Sequence, residues 1–136
     1  MKDHFDRINE YFDLFSADTE LTALLGTTPT DVDSLDTIIK RGFRDVSVID
    51  PESLPMMDMG FVPNNGLTGN HLVNRDLVEI NLYAPNFYEA GKLYKEVHRI
   101  LNENFEDCQV ISPYDRGIPV GGVFCWSFRV KTFVKS

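Results

Sequence analysis

The chain has 136 residues, 43% of them hydrophobic and 25% charged, which suits one folded domain with one core. Ten Phe, five Tyr and one Trp supply the bulk to fill it, so disorder of the whole chain is not expected. Its 21 acidic and 13 basic side chains give a formal charge of -8, which opposes general binding to nucleic-acid phosphates or to an anionic membrane surface.

The first fifteen residues, MKDHFDRINEYFDLF, are charged throughout and lack an apolar signal core. No apolar run approaches the roughly 20 residues of a membrane helix, so a soluble protein made in the cytoplasm is expected. Within that segment Phe5, Ile8, Phe12 and Phe15 form one helical stripe. Asp18 then reads as the cap of a short helix that buries Leu21, Leu24 and Leu25 and ends at Gly26. Residues 27–36 (TTPTDVDSLD) read as a loop. Leu35, Ile38 and Ile39 fit either a strand or one more helical turn, and Asp50-Pro51 stops the β-branched run Val46, Val48, Ile49.

A long hairpin follows. Residues 54–62 place Met57, Met59 and Phe61 on one face and Met56 and Asp58 on the other. Residues 63–70 (PNNGLTGN) form an exposed loop, and a strand over 72–84 alternates Val78, Ile80 and Leu82 with Glu79 and Asn81. Such alternation predicts an antiparallel sheet with one face on a core and one face wet. Asn86 and Glu89 have capping-box spacing, and Ala90, Leu93, Tyr94, Val97, Ile100, Leu101 and Phe105 make the buried stripe of a long helix. Gly91 costs that helix about 1 kcal/mol and suggests a close packing partner. A short strand at 108–111, a flexible connection over 112–122 (SPYDRGIPVGG) and a last strand over 123–134 complete the chain. In that strand Phe124, Trp126, Phe128 and Val130 alternate with Cys125, Ser127, Arg129 and Lys131. The expected fold is one α+β domain over 1–136, with N-terminal helices at about 3–25 and the sheet and long helix at about 38–134. Its antiparallel sheet carries two or three helices on one face.

The chain offers little that does chemistry. His4, His71 and His98 lack orienting partners at recognisable spacing and read as solvated or structural. Glu96 and Glu103 lie seven apart on one outer helix face as solvated charges. Asp58 and Glu79 are candidates to face one another across adjacent strands, a repulsive pair unless a base intervenes. The glycine-rich 117–122 leads into a strand rather than a helix, so it is not a phosphate loop. Cys108 and Cys125 show no zinc spacing. They read as half-buried thiols, with a disulfide conceivable if their strands are neighbours. No catalytic, cofactor or metal site is assigned.

Two long polar connections in so small a domain point instead to assembly. The candidate contact residues are Asn64, Asn65, Gly66, Leu67 and Thr68 in the first, and Tyr114, Asp115, Arg116, Gly117 and Ile118 in the second. The order of segments also carries a resemblance. Leu24-Leu25-Gly26 ends a helical start, Ile38-Ile39-Lys40-Arg41 follows a polar loop, and Leu54-Pro55-Met56-Met57 precedes a second loop. Then come the run from Leu77 to Pro85 (LVEINLYAP), the helix YEAGKLYKEVHRILNENF and the strand VFCWSFRVKTF. From about Leu21 onward this resembles the neck and tail-terminator proteins of siphophages, also called tail-completion or head–tail joining proteins. The resemblance implies a non-enzymatic virion protein without cofactors, made in the host cytoplasm. It would form a ring, commonly of six subunits, that terminates the tail tube and joins it to the head. Its partners would be copies of itself, tail-tube protein and head-completion proteins, with double-stranded DNA passing without specific binding and no membrane involved. Competing readings of the same residues are a small-molecule binder or enzyme using His71 and His98, and a cellular adaptor that binds by strand addition.

Overall fold

A computed structural model describes residues 4–61 and 77–133. The order is α1 (His4–Ala17), α2 (Thr19–Leu24), α3 (Val32–Ile38), β1 (Ile39–Arg41), two 3-10 turns (Val46–Val48 and Pro51–Ser53), β2 (Met56–Phe61), β3 (Val78–Ala84), α4 (Phe87–Asn104), β4 (Asp107–Arg116) and β5 (Phe124–Phe133). The strands form one sheet in the order β1-β2-β3-β5-β4. The fold is α+β, as the sequence implies. The sheet is mixed rather than wholly antiparallel, because β1 runs parallel to β2. Among the described residues, no helix is long and apolar enough to cross a membrane.

The helices form where the sequence caps them. Asp18 accepts the amides of Glu20 and Leu21 to start α2, and Gly26, with φ of +78°, ends it. Asn86 accepts the Glu89 amide at 2.9 Å to start α4, whose predicted stripe from Ala90 to Phe105 is buried, Tyr94 only partly. In α1 the buried side is rotated from the predicted one. Phe15 and Ile8 are inside and Phe12 partly so, but Phe5 is 67% exposed while Tyr11 and Arg7 are buried. Tyr11 reaches Thr132 of β5 at 2.6 Å, and the Arg7 guanidinium lies over the Phe105 ring. Polar side chains with partners are thus buried here, while Phe5 stays at the surface with its ring edge-on to Phe61 at 5.8 Å.

In the middle of the chain one expectation changes and two stretches left open by the sequence take a form. The second half of the expected loop over 27–36 is helical, because the Asp31 carboxylate accepts the Ser34 amide and caps α3. Ile38 ends that helix and Ile39 opens β1, so both readings of this run are realised one residue apart. The β-branched run at 46–48 is a 3-10 turn, pulled in by the Asp45 carboxylate on the Ser47 amide.

One face of the sheet carries the main core. Met57 and Met59 of β2, Ile80 and Leu82 of β3, and Phe128 and Val130 of β5 meet Leu93, Val97, Ile100 and Leu101 of α4, with Tyr11 and Phe15 of α1. Each such burial contributes about 1.5–3 kcal/mol against exposure. The opposite face was expected to be wet and is not: Asp58, Asn81, Tyr83, Cys125 and Ser127 are all fully buried there. Residues 43–55 and 117–123 cover it, placing Ile49, Val46, Leu54, Ile118 and Val123 around Met56, Tyr83 and Cys125.

Candidate assembly surface and the buried polar row

Residues 64–68 and His71 lie outside the described residues. The second group of candidates is placed, but differently from the expectation of a flexible connection over 112–122. Tyr114, Asp115 and Arg116 belong to β4, which runs on through Ser112 and Pro113 by an irregularity between Ile111 and Tyr114. Ser112 takes φ of +53° there, and pairing with β5 resumes from Tyr114 opposite Ser127. A bulge on an edge strand accommodates the proline, whose missing amide would break a central ladder. Gly117 and Ile118 remain in the turn, and Ile118 packs inward on the second, smaller cluster.

β4 is the outermost strand of the sheet, ten residues long and largely exposed. No described strand pairs with its outer side. Beside it, on the helix-covered face, is an apolar groove of about 160 Å³ lined by Phe87, Ala90, Gly91, Tyr94, Phe124 and Trp126. Phe87 stands over Phe124 at 5.7 Å between ring centres and is 72% exposed. The sequence suggested that Gly91 meets a close neighbour. A Cβ there would find nothing within 4 Å among the described residues, so glycine opens the groove rather than admitting a described element.

On the opposite face a polar row runs across the sheet. Asp58 of β2 sits opposite Asn81 of β3, Asn81 opposite Ser127 of β5, and Ser127 opposite Tyr114 of β4. The Asp58 carboxylate accepts from Asn81 Nδ2 at 2.7 Å, Tyr83 OH at 2.8 Å and the Arg44 amide at 3.0 Å. Ser127 Oγ donates to Asn81 Oδ1 at 2.5 Å. Burial lifts the Asp58 carboxyl above its ordinary range, against the pull of those donors and of the Arg44 charge. Burial also raises Tyr83, with the nearby Asp58 charge adding to it. The expected Asp58–Glu79 confrontation is a diagonal, because Glu79 pairs in register with Gly60. Bases of the chain itself answer both acids: Arg129 Nε lies 3.7 Å from Glu79, and Arg44 lies beside Asp58.

The remaining candidates separate. Cys108 sits opposite Thr132 and packs on the main core, whereas Cys125 sits opposite Arg116 on the other face. Neighbouring strands therefore do not bring the thiols together, and both are free. Burial pushes each up to about 11. His98 stacks on Tyr94 and contacts Asn102. Glu96 and Glu103 are not merely solvated, since Arg99 between them bonds both, and its guanidinium also reaches Asp18 at 2.9 Å. The long-range pair of Arg99 with Asp18 pins α4 to the cap of α2.

No protein-family model matches the chain, and no curated protein is significantly similar to it in sequence.

Proposed function

We propose that this chain is a structural assembly protein, without enzymatic activity, that forms a ring at the neck of a siphophage virion. In this reading the ring terminates the tail tube and joins it to the head. The observation that carries the assembly reading is the β4 edge, ten residues long and unpaired by any described strand on its outer side. Such an edge is a template for pairing with another chain, here over the regular stretch up to Ile111, beyond which the bulge and Pro113 interrupt it. The aromatic groove beside it adds apolar area of the kind that interface anchors fill. The two edges of this sheet are unlike, β1 having three residues and β4 ten, so joining one to the other repeats head to tail. Head-to-tail contacts of that type close into rings when the rotation permits. The siphophage assignment rests on the order of segments and remains part of the proposal, as does passage of double-stranded DNA through a lumen without specific binding.

Light scattering after gel filtration, over a range of concentrations and with tail-tube protein added, tests the reading. Electron microscopy of the largest species should show closed rings. Phe87→Asp, on an exposed side chain at the groove, should abolish them and leave a folded monomer. A wild-type chain that stays monomeric under every condition, tail-tube protein included, would overturn the assembly reading.

A further inference from the structure

The segment between β1 and β2 covers the sheet without belonging to it. Its hydrogen bonds to the body are made at its beginning. Gly42, with φ of +107°, donates its amide to Met59 O at 2.6 Å, and Arg44 donates its amide to Asp58. The Arg44 guanidinium also donates to the carbonyls of Thr37 and Ile38 at the end of α3 and of Met57 on β2. From 45 to 54, the hydrogen bonds among the described residues stay inside the segment. Asp45 caps the Val46–Val48 turn and Asp50 caps the Pro51–Ser53 turn. Both turns are thus satisfied locally and carry their own structure wherever the segment lies.

What the segment covers is also unusual. Its apolar contacts are few: Ile49 is buried, Val46 and Leu54 only partly, and Val48 is 74% exposed. Beneath it Asp58, Asn81 and Ser127 bond to one another across the sheet, bonds that do not depend on the cover, which adds only the Arg44 amide to Asp58. The clasp itself is incomplete, because Arg44 Nε is buried without a partner. Phe43 rests on the bare backbone of Gly60, where a Cβ would come within 2.6 Å of its ring, and it remains 45% exposed. Cover of this kind, with few apolar contacts and local hydrogen bonding, falls at the low end of local stability.

We propose that residues 42–55 are a strap, clasped by Arg44, that opens as a unit while the helix-covered face stays packed, uncovering the polar row and the Cys125 thiol. The hinge on one side is Gly42, which takes a φ of +107° and, lacking a Cβ, can leave it for other values at little cost. The open state presents a carboxylate, an amide and a hydroxyl in line across three strands. This inference stands apart from the ring reading and holds for a monomer as well.

Cys125 is the reporter. In a Cys108→Ser chain it is the sole thiol, and its labelling by a disulfide reagent can be set beside amide exchange at Arg44 and at Ile100 in the packed helix. The expected result is that Cys125 labelling and Arg44 exchange share one opening, with a shallower denaturant dependence than Ile100 exchange. Arg44→Ala should accelerate Cys125 labelling by roughly tenfold or more, as loss of a hydrogen bond to a charged group would. Ile100 protection should not change. Arg44→Lys, which keeps the charge but not the fork of donors, should fall between. If Cys125 labels only through global unfolding, with the denaturant slope of Ile100, the strap does not open separately and the proposal fails. It also fails if Cys125 labels readily while Arg44 exchange stays slow, since the 117–123 turn would then be moving alone. The slopes in the Cys108→Ser chain with Arg44 intact decide these outcomes even if Arg44→Ala does not fold.

Discussion

The two faces of this sheet are covered by different physics. On one, helices α1 and α4 bring large apolar side chains onto Leu82, Ile80 and Phe128, and the contact is a close-packed core. On the other, a strap of 3-10 turns lies over Asp58, Asn81 and Ser127, which are as deeply buried but hold one another by hydrogen bonds. Depth of burial is the same and its cause is not. Apolar burial drives folding at every contact, whereas a buried polar row only breaks even when every member is paired.

The largest effect that sharpens this contrast is expected on the helix-covered face. Leu82→Ala opens a cavity under α4, where no polar group or water can compensate, and should lower unfolding free energy by about 2–5 kcal/mol. Chemical denaturation measures it, and the helix signal should be lost in the same transition. A loss below about 1 kcal/mol would mean that this core is not close-packed.

Next comes Asn81→Ala in the polar row. The substitution removes the donor to Asp58 Oδ1 and the acceptor of the Ser127 hydroxyl together, while Tyr83 OH and the Arg44 amide still hold Asp58 Oδ2. Unsatisfied buried groups cost about 1–3 kcal/mol, so the loss should be smaller than for Leu82→Ala. It should appear first as faster opening of the strap, because that exposes the orphaned atoms to water.

Asp58→Asn removes the titrating charge; it also turns one acceptor oxygen into an amide donor facing a donor, a cost that does not vary with pH. Burial raises the folded carboxyl above its ordinary 3.8, so the folded chain holds this proton more tightly than the unfolded one. From about pH 4 upward through the raised value, this group's contribution to stability therefore falls as pH rises. Other carboxylates shift the opposite way. Asp18, whose burial is outweighed by the Leu21 amide and by Arg99, sits below its ordinary range and adds stability that acid removes. The comparison is thus the difference between wild type and Asp58→Asn across pH. That difference should decline as pH rises from 4, and a flat difference would place the Asp58 carboxyl in contact with water.

Much of the helix-covered face was legible because its signals are local. The α4 stripe and Asn86 cap lie within one stretch, and the alternation in β3 and β5 names the inward residues directly. The cover on the other face was not. Alternation of Glu79 and Asn81 with apolar neighbours ordinarily means a wet face, and what buries them is a segment without periodicity. The bonds that make burial tolerable join residues 23 and 46 positions apart, and no window of sequence displays them. Of the assembly candidates, Tyr114, Asp115 and Arg116 lie on the β4 edge, where 112–122 reads in sequence as a connection, because Pro113 looks like a break rather than a bulge within an edge.

The smallest effect separates stability from assembly. Gly91 lies in the interior of α4, its built Cβ meets nothing within 4 Å, and it lines the aromatic groove. Among the described residues, then, glycine there only loosens the helix, and Gly91→Ala should raise stability by about 0.5–1 kcal/mol. If the groove receives a neighbouring subunit, the added methyl occupies part of a 160 Å³ space and should weaken assembly. One substitution is therefore expected to move two measurements in opposite directions. Thermal unfolding of the monomer would rise by a few degrees, while the concentration needed for half-assembly would also rise. A core residue cannot do this, because losing its packing weakens both, and a surface residue outside the interface would alter only the first. Parallel change, or no change in assembly, would move the contact away from the groove and leave the open β4 edge to account for it alone.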